Sequence, residues 1–393
     1  MDRAIDLCNR VLLLAERYHN PFQSILQDAA RAIGDWLWHL RELPRLPAYR
    51  LRNGEWCIIF VGGKQGCLEI QEPIFKNREV TVEEIGRYPV MKLGTQVNQW
   101  LNSGADLVIA ETSRHRPWKN STPYSFVVPL WVQQIMKIPD DPEMLLTGTR
   151  MHNPRRWIKH AWANGFDFYH SRSLQDFELF HKEMYLPFMQ DRHGEKALTS
   201  TFQDQYDRWF KKSGLIMVTR NGQPVAGELI YRAGDVCMGI EMGVLHSDME
   251  LIKLGINSLV AWSTILWCHQ QKLRYYNLGS SHGWCENGPF IFKALWKAKV
   301  VRRKRLHPVW TFMAQDLPET LRTRMNEAGF IAEAGGKFYR ALLAEEPPAC
   351  ESYARTLIHT TRKGLAGLAL VTPGKTTYIE GHPIIGPEDV RSN

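Results

Sequence analysis

Three short apolar runs joined by two tight turns constrain the fold of this chain most strongly. The runs cover residues 215–219, 224–231 and 236–243, and the turns between them contain Asn221-Gly222 and Gly234-Asp235. Turn residues of this kind between β-type runs indicate antiparallel hairpins. We therefore predict a three-stranded antiparallel meander in the second half of the chain.

The segments that follow the meander add helices and further strands. A long apolar stretch over 249–271 has helical spacing, and a strand-like run over 274–278 comes next. A strand over 308–313, a helix over 318–328 and a strand over 338–343 complete the pattern. This order predicts an α+β domain with one central sheet.

The stretch 274–300 carries the strongest signal for a site. Its strand stops at Gly279-Ser280-Ser281, a glycine-rich loop follows, and a second apolar run holds Lys293 beside Phe292. Small hydroxyl residues, glycines that allow close backbone approach and a lysine among aromatic residues favour a binding site. An ordinary strand, loop and helix with a solvated lysine is the alternative.

The first half of the chain gives a weaker pattern. Apolar residues recur at helical spacing over 1–42, a β-type run covers 56–61, and a helix and a strand are predicted over 90–105 and 105–111. The sequence from Gly62 to Gly66 lacks the frame of a phosphate loop, so we predict a hairpin turn leading into a strand at 67–70. We divide the chain into a helical segment (1–50), two domains (51–150 and 151–345) and a C-terminal helix and tail (346–393).

A basic helix is predicted between the two domains. Asn153 and Pro154 suit its start, and Gly165 suits its end. Positive charges near a helix start oppose the helix dipole, and a bound anion would relieve this cost. The charges that we assign to an anion site here are Arg155, Arg156 and Lys159.

Composition limits the class of protein. The formal net charge is +8, which favours an anionic partner such as nucleic acid, a phosphorylated cofactor or an acidic membrane surface. No run approaches the ~20 uncharged apolar residues of a membrane span, and the first residues include acids, so we expect a cytoplasmic protein with no transmembrane segment. The seven cysteines are scattered, which predicts reduced thiols and no metal site.

The order of elements resembles the Gcn5-related N-acetyltransferase (GNAT) fold, and in detail the Fem-type transferases, which carry two such domains in tandem. The resemblance covers residues 150–345, and 51–150 fits a degenerate copy. The motifs that carry it are N-P-R-R-W-I-K-H-A-W-A-N-G-F (153–166), N-G-Q-P-V-A-G-E-L-I (221–230), N-L-G-S-S (277–281) and G-P-F-I-F-K-A-L-W (288–296).

This resemblance implies a fold and an activity. The fold would be α+β, with two tandem GNAT-like domains, each a central, mostly antiparallel mixed sheet flanked by helices. The activity would be transfer of an acyl or aminoacyl group to an amine. Acyl-CoA or aminoacyl-tRNA would be the co-substrate, without a bound cofactor. The acceptor would be a small-molecule, peptide or glycan amine, and tRNA is a candidate partner.

The resemblance also assigns roles to residues. Phe292-Lys293 matches the family's Phe-Lys motif, in which the lysine lies near the reacting acyl group. A fixed ammonium can neutralise the oxyanion of a tetrahedral intermediate. The substrate-binding residues would be Phe292, Asn277, Gly279, Ser280, Ser281, His282 and Trp296.

The sequence indicates a proton acceptor and a nucleophile less clearly than it indicates the lysine. Glu228 and Glu241 lie on successive strands with His246 just beyond, and we take Glu241 as the candidate base. Ordinary ion pairs are the alternative. The group of Ser280, Ser281, His282 and Cys285 suggests a nucleophile and a base, but no elbow motif supports this arrangement, so we favour hydrogen bonding to substrate.

Two departures from the family pattern keep a second function class open. Relatives often have Asp where this chain has Asn277. In addition, 251–255 holds one glycine, Gly255, where acetyl-CoA enzymes carry a pyrophosphate loop. The further anion-site candidates are Lys253, Gly255, Arg302 and Arg303. The alternative is a non-catalytic GNAT-fold module that binds nucleic acid or carbohydrate.

Overall fold

The structure is a computed structural model that describes residues 45–76, 78–89, 92–112, 122–147, 152–194, 199–302, 308–345 and 364–380. The described residues form two compact units. Unit 1 comprises those up to Val132, Ser280–Ile291 and those from Val300 onward, and unit 2 comprises Gln133–Gly279 and Phe292–Lys299. The helices predicted over 1–42 lie outside the described residues.

The elements are listed here in chain order. The strands are β1 (Leu46–Arg52), β2 (Cys57–Val61), β3 (Thr81–Tyr88), β4 (Leu107–Thr112), β5 (Tyr124–Pro129), β6 (Trp131–Lys137), β7 (Phe166–Ser171), β8 (Leu215–Arg220), β9 (Gln223–Ala233), β10 (Val236–Val244), β11 (Tyr275–His282), β12 (Lys299–Val301), β13 (Val309–Ala314), β14 (Ile331–Ala334), β15 (Lys337–Leu343), β16 (Gly367–Thr372) and β17 (Lys375–Glu380). The helices are α1 (Lys64–Phe75), α2 (Leu93–Asn102), α3 (His152–Ala163), α4 (Leu174–Leu179), α5 (Leu186–His193), α6 (Phe202–Gln205), α7 (Lys211–Ser213), α8 (Met249–Lys253), α9 (Ile256–Gln270), α10 (Gly288–Leu295) and α11 (Glu319–Ala328). π-helical turns at Phe180–Tyr185 and Tyr206–Phe210 continue α4 into α5 and α6 into α7.

Unit 1 is built on a mixed sheet with the order β3-β1-β2-β4-β13-β5, in which β2 and β4 are parallel. Phe60, Trp310 and Phe312 lie in its core. A second sheet has the order β14-β15-β16-β17. Its strands β16 and β17 lie within the segment 346–393, for which a helix and a tail were predicted, and residues 346–363 of that segment lie outside the described residues. The apolar run 367–372 and the turn at Pro373-Gly374 are the strand signal that the prediction missed.

The hairpin turn predicted at Gly62–Gly66 is wrong, because the chain enters helix α1 there. Cys67, Ile70 and Ile74 are buried at helical spacing on one face. A Cβ built on Gly66 would lie 2.2 Å from Oε2 of Glu111. The protein's own carboxylate therefore lies against the first turn of α1, where a helix favours negative charge.

Unit 2 is built on a sheet with the order β12-β6-β11-β10-β9-β8-β7. The meander β8-β9-β10 is antiparallel as predicted, and β11 joins β10 in parallel. Helix α9 covers one face with Trp262 and Ile265, and the opposite face packs against Phe180 and Met184. An α+β fold of mixed sheets flanked by helices is confirmed.

The later strands differ from the prediction of a single sheet for the second half of the chain. Strand β13 pairs with β4 and β5 in the sheet of unit 1, and β6 is the neighbour of β11. Local sequence patterns predict which residues form a strand but not which distant strand they pair with. The sequence alone therefore did not indicate the partners of β13 and β6. Within the described ranges, no helix is long and apolar enough to cross a membrane.

Candidate functional site

Strands β10 and β11 separate after a short parallel pairing. The register runs from Val236 opposite Tyr275 to Met238 opposite Asn277. Past Met238, β10 stays paired with β9 through a bulge between Gly239 and Glu241. We call the place where β10 and β11 part, at Gly239 and Gly279, the strand gap. Because the two strands no longer bond each other there, a ligand can approach their backbone groups.

Asn277 shapes the strand gap. Its side chain is buried, and its Oδ1 accepts a hydrogen bond of 2.9 Å from the backbone N–H of Gly279. Gly279 has φ +86°, a left-handed conformation that glycine adopts without steric cost. Asn277 was predicted to contact substrate. In the structure its side-chain amide stabilises the turn at which the pairing of β10 and β11 ends.

Replacing Asn277 by alanine should destabilise unit 2. The N–H of Gly279 would lose its acceptor in a partly buried place, at a cost of about 1–3 kcal/mol. Asn277→Asp keeps an oxygen acceptor and should lose less. Urea unfolding of the three proteins checks this order, and equal midpoints for Asn277→Ala and the wild type would contradict it.

Helix α10 brings Lys293 to the strand gap. A Cβ built on Gly279 would lie 3.8 Å from Nζ of Lys293 and 3.6 Å from the carbonyl oxygen of Gly239. The lysine is half-buried rather than fully solvated. A positive charge is thus held beside the backbone where the two strands part.

Glu228 lies beneath Gly239 on the face of the sheet that α9 covers. Its Oε2 accepts hydrogen bonds from the hydroxyls of Thr264 at 2.6 Å and Tyr276 at 2.7 Å. Burial raises the pKa of Glu228 to about 7, although Thr264, Tyr276 and the charge of Lys293 lower it in part. The sequence analysis considered this residue but did not select it.

Glu241, the candidate base, lies on the opposite face. It is half-buried, and burial raises its pKa to about 7. Its neighbour Tyr185, in the π-helical turn after α4, has a pKa raised by burial and then by the charge of Glu241. A carboxyl group with this pKa can accept a proton near neutral pH. His246, the other candidate, is exposed, with Nδ1 3.5 Å from Oε2 of Glu183.

Glu241→Gln should flatten the dependence of stability on pH. The folded pKa near 7 exceeds the ordinary 4.5, so the contribution of Glu241 to stability is complete below about pH 4.5 and is lost as pH rises through 7. We expect the wild type to lose on the order of 2 kcal/mol more than the variant over this range. Urea unfolding at pH 4.5 and 7.5 measures it, with the exposed Glu250→Gln as control. Equal slopes for wild type and Glu241→Gln would refute the assignment.

The serines and the histidine after Gly279 belong to unit 1. Ser281 is buried and Ser280 is half-buried. The ring of His282 is stacked between the indoles of Trp131 and Trp284, at centroid distances of 4.0 and 4.4 Å. Both faces of the imidazole are covered, so only its edge can reach a substrate. Cys285, the alternative nucleophile, is fully buried.

Two aromatic residues, Phe292 in α10 and Trp296 just after it, pack in the hydrophobic core of unit 2. Phe292 packs against the core, and its ring meets Trp296 at 6.5 Å in a T-shaped pair. Trp296 is fully buried and stacks on Trp262 at 6.2 Å. Its burial does not fit the direct substrate contact that was predicted.

The predicted anion site on α3 is exposed to solvent. Arg155, Arg156 and Lys159 all point outward, and none forms an ion pair with another described residue. Arg156 lies one turn before His160, which with Asn164 and Arg220 lines a cavity of about 20 Å³. That volume holds about one water, so the cavity itself cannot enclose a nucleotide.

The start of α9 is covered by an indole. Gly255 has φ +85° and precedes the helix, and a Cβ built on it would lie 2.6 Å from the ring of Trp157. Lys253 pairs with Glu250 at 2.9 Å. The sequence analysis missed Trp157 as a covering group because only the fold brings α3 to α9.

The remaining anion-site candidates divide between unit 1 and the undescribed part of the chain. Arg302 forms an ion pair of 2.6 Å with Glu333, so a carboxylate of the protein already binds it. Arg303 lies outside the described residues. In the described part of the chain, no group of three or more His, Cys, Asp or Glu side chains is placed to hold a metal ion.

Comparison with known proteins shows a similarity over part of the chain. The family model of the acetyltransferase (GNAT) domain matches residues 150–283. No curated protein matches the sequence.

Several solved structures match at low similarity. FemX has 11% identity, with 66% of this chain and 81% of that chain covered and a TM-score of 0.37. L-PGS from Bacillus licheniformis has 14% identity, coverage of 72% and 86%, and a TM-score of 0.33. The C-terminal domain of a putative lysylphosphatidylglycerol synthetase from Agrobacterium fabrum has 10% identity, coverage of 80% and 92%, and a TM-score of 0.35. Residues 150–283 of this chain are thus similar to the acetyltransferase (GNAT) domain over that segment.

Proposed function

We propose that the chain is an N-acyltransferase that joins an acyl or aminoacyl group to a substrate amine at the strand gap. The observation that carries the proposal is the position of Lys293, whose ammonium lies beside Gly279 where β10 and β11 part. Attack on a carbonyl carbon creates an oxyanion, and a fixed positive charge in a partly buried place stabilises it. The GNAT family match over 150–283 supports the same reaction class.

The reaction proceeds by direct attack of the amine on the donor. The amine nitrogen forms a bond to the carbonyl carbon of a thioester or ester, and the carbonyl electron pair moves to oxygen. Collapse of this intermediate breaks the C–S or C–O bond, and the leaving group takes up a proton. The nitrogen loses a proton to a base, for which Glu241 is our candidate because its pKa of about 7 suits proton uptake. No covalent enzyme intermediate is required.

Two observations favour aminoacyl-tRNA over acyl-CoA as the donor. The indole of Trp157 lies against Gly255 at the start of α9, where the resemblance would place a diphosphate. The exposed bases Arg155, Arg156 and Lys159 have no acidic partner among the described residues. Dispersed surface cations suit a nucleic-acid backbone, whose phosphates are spread along the strand.

A triple variant with glutamine at Arg155, Arg156 and Lys159 should weaken tRNA binding and its dependence on salt. Each lost phosphate contact lowers the slope of log K against log salt by about 1. Titration of tRNA at several salt concentrations measures this slope. Arg208→Gln with Lys211→Gln is the matched control, because those bases already pair with Asp204 and Asp207. An unchanged slope in the triple variant would remove the α3 face from the tRNA site.

A donor test separates the two variants of the proposal. The protein is incubated with an amine panel and either charged tRNA or labelled acyl-CoAs, with and without RNase. Transfer from charged tRNA that RNase abolishes supports the favoured donor. Transfer from acyl-CoA that RNase leaves intact would assign the other donor and refute the choice made here.

A further inference from the structure

A buried carboxyl group shares the strand gap with Lys293. Glu228 is buried, yet its Oε1 reaches so close to β10 that a Cβ on Gly239 would lie 2.2 Å from it. Gly239 faces Gly279, beside which Nζ of Lys293 lies. The carboxyl group and the ammonium therefore approach the two glycines of the gap from different elements.

The hydroxyls around Glu228 can serve it in both protonation states. When the carboxylate is ionised, Thr264 and Tyr276 both donate to it, at 2.6 and 2.7 Å. Thr264 has a second acceptor, the carbonyl oxygen of Val260 at 3.1 Å. If Glu228 gains a proton, it can donate to a hydroxyl oxygen while Thr264 turns to Val260, so no buried polar group loses its partner.

We infer that Glu228 is the counter-ion that positions Lys293 at the strand gap, so that the two groups titrate as a coupled pair. The catalytic use of Lys293 in this inference rests on the proposed function. The coupling between Glu228 and Lys293 depends only on the positions of the two side chains. Glu228 is a positioning residue in this account, since no reacting atom touches it.

The other groups that face Glu228 do not replace Lys293 as its partner. Tyr276 of β11 has a pKa raised by burial and then by the charge of Glu228. Cys237 of β10 has a pKa raised first by its hydrogen bond with Cys268 of α9, and Arg232 acts on that thiol from β9. The phenol of Tyr276 and the thiol of Cys237 are therefore neutral near pH 7. This is the pH range in which Glu228 titrates, because burial raises its pKa to about 7.

Site-resolved titration of the full-length protein by NMR tests the coupling without any substrate. With ¹³C-labelled lysine and glutamate, the Lys293 and Glu228 signals are assigned by their loss in Lys293→Met and Glu228→Gln. We expect the midpoint of Lys293 to fall by about one pH unit or more in Glu228→Gln, since an opposite charge favours the charged form. The midpoint of Glu228 should rise by a similar amount in Lys293→Met, because coupling is reciprocal.

The controls keep the inference separate from the proposed function. Glu241→Gln removes a carboxyl group from the opposite face and should leave the midpoint of Lys293 unchanged. If Glu228→Gln does not fold, the Glu228 signal is assigned by its loss in Glu228→Asp. The Lys293→Met variant then decides alone, because the Lys293 side chain is half-buried and tolerates replacement better. If the titration midpoints of Lys293 and Glu228 are unchanged in the variants that fold, the inference is overturned, even if Lys293 proves essential for transfer. Coupled midpoints in a protein that transfers no acyl group would leave the coupling established and refute the function.

Discussion

Replacing Lys293 by alanine is expected to lower kcat/KM for acyl transfer by a factor of about 100 to 1,000, the usual effect of removing one oxyanion-stabilising group. The ammonium lies beside Gly279 at the place where β10 and β11 part. It acts in a half-buried site where charge is screened less than in water. The loss should fall mainly on kcat, because the oxyanion exists only in the transition state and the intermediate.

The matched control for Lys293→Ala is Lys211→Ala. Lys211 is exposed, pairs with Asp207 and lies outside the strand gap, so its loss should leave the rate of the chemical step unchanged. Steady-state kinetics with the donor that transfers the label measures both variants. Full turnover by a folded Lys293→Ala protein would show that the ammonium has no part in the reaction.

Gly239→Ala should impair both stability and transfer. The new Cβ would lie 2.2 Å from Oε1 of Glu228, and Thr264 and Tyr276 hold that carboxyl group in place. Forcing the groups apart should cost about 1–3 kcal/mol in a packed interior. It should also displace the carboxyl group that faces Lys293, so the rate of transfer should fall even in the folded fraction.

Gly94→Ala provides the control for adding a methyl group. A Cβ on Gly94 would have no heavy atom within 4 Å, and the residue lies in helix α2, where alanine is favoured over glycine. Urea unfolding should therefore show Gly94→Ala as stable as the wild type or more stable, and Gly239→Ala as less stable. If Gly239→Ala matched the wild type in stability and in rate, the packing described for the strand gap would be incorrect.

The meander of unit 2 was predictable because its signals are local. Asn221 and Gly222 both have positive φ, the conformation that their residue types favour in a two-residue hairpin turn. The apolar runs on either side alternate between the two faces of the sheet. Lys293 was selected from the sequence through the Phe-Lys motif rather than through any spacing rule, and its role in the reaction stays a prediction.

The network around Glu228 was not predictable because its members are far apart in the chain. Glu228 is 36 residues from Thr264 and 48 from Tyr276. Neither hydroxyl residue stands out in its own segment. Only the pairing of β9, β10 and β11 under α9 turns an ordinary strand glutamate into a buried, hydrogen-bonded carboxyl group.

Helix α1 and strand β13 were missed for different physical reasons. The glycines at 62, 63 and 66 indicated a turn, whereas the buried stripe of Cys67, Ile70 and Ile74 determines a helix that also accommodates Pro73. Strand β13 was recognised as a strand, but its partners β4 and β5 lie more than 170 residues earlier in the chain. Such long-range pairing leaves no trace in a local pattern.

The most direct test of the account is label transfer by the wild-type protein. Charged tRNA and acyl-CoAs with a labelled acyl group are offered with a panel of amine acceptors, and the products are analysed for a new amide bond. The account predicts that label appears in the acceptor amine, and that the same assay with Lys293→Ala gives about 100-fold less or lower. A folded protein that binds tRNA or carbohydrate yet transfers no label from either donor would contradict the account and would show a non-catalytic GNAT-fold module instead.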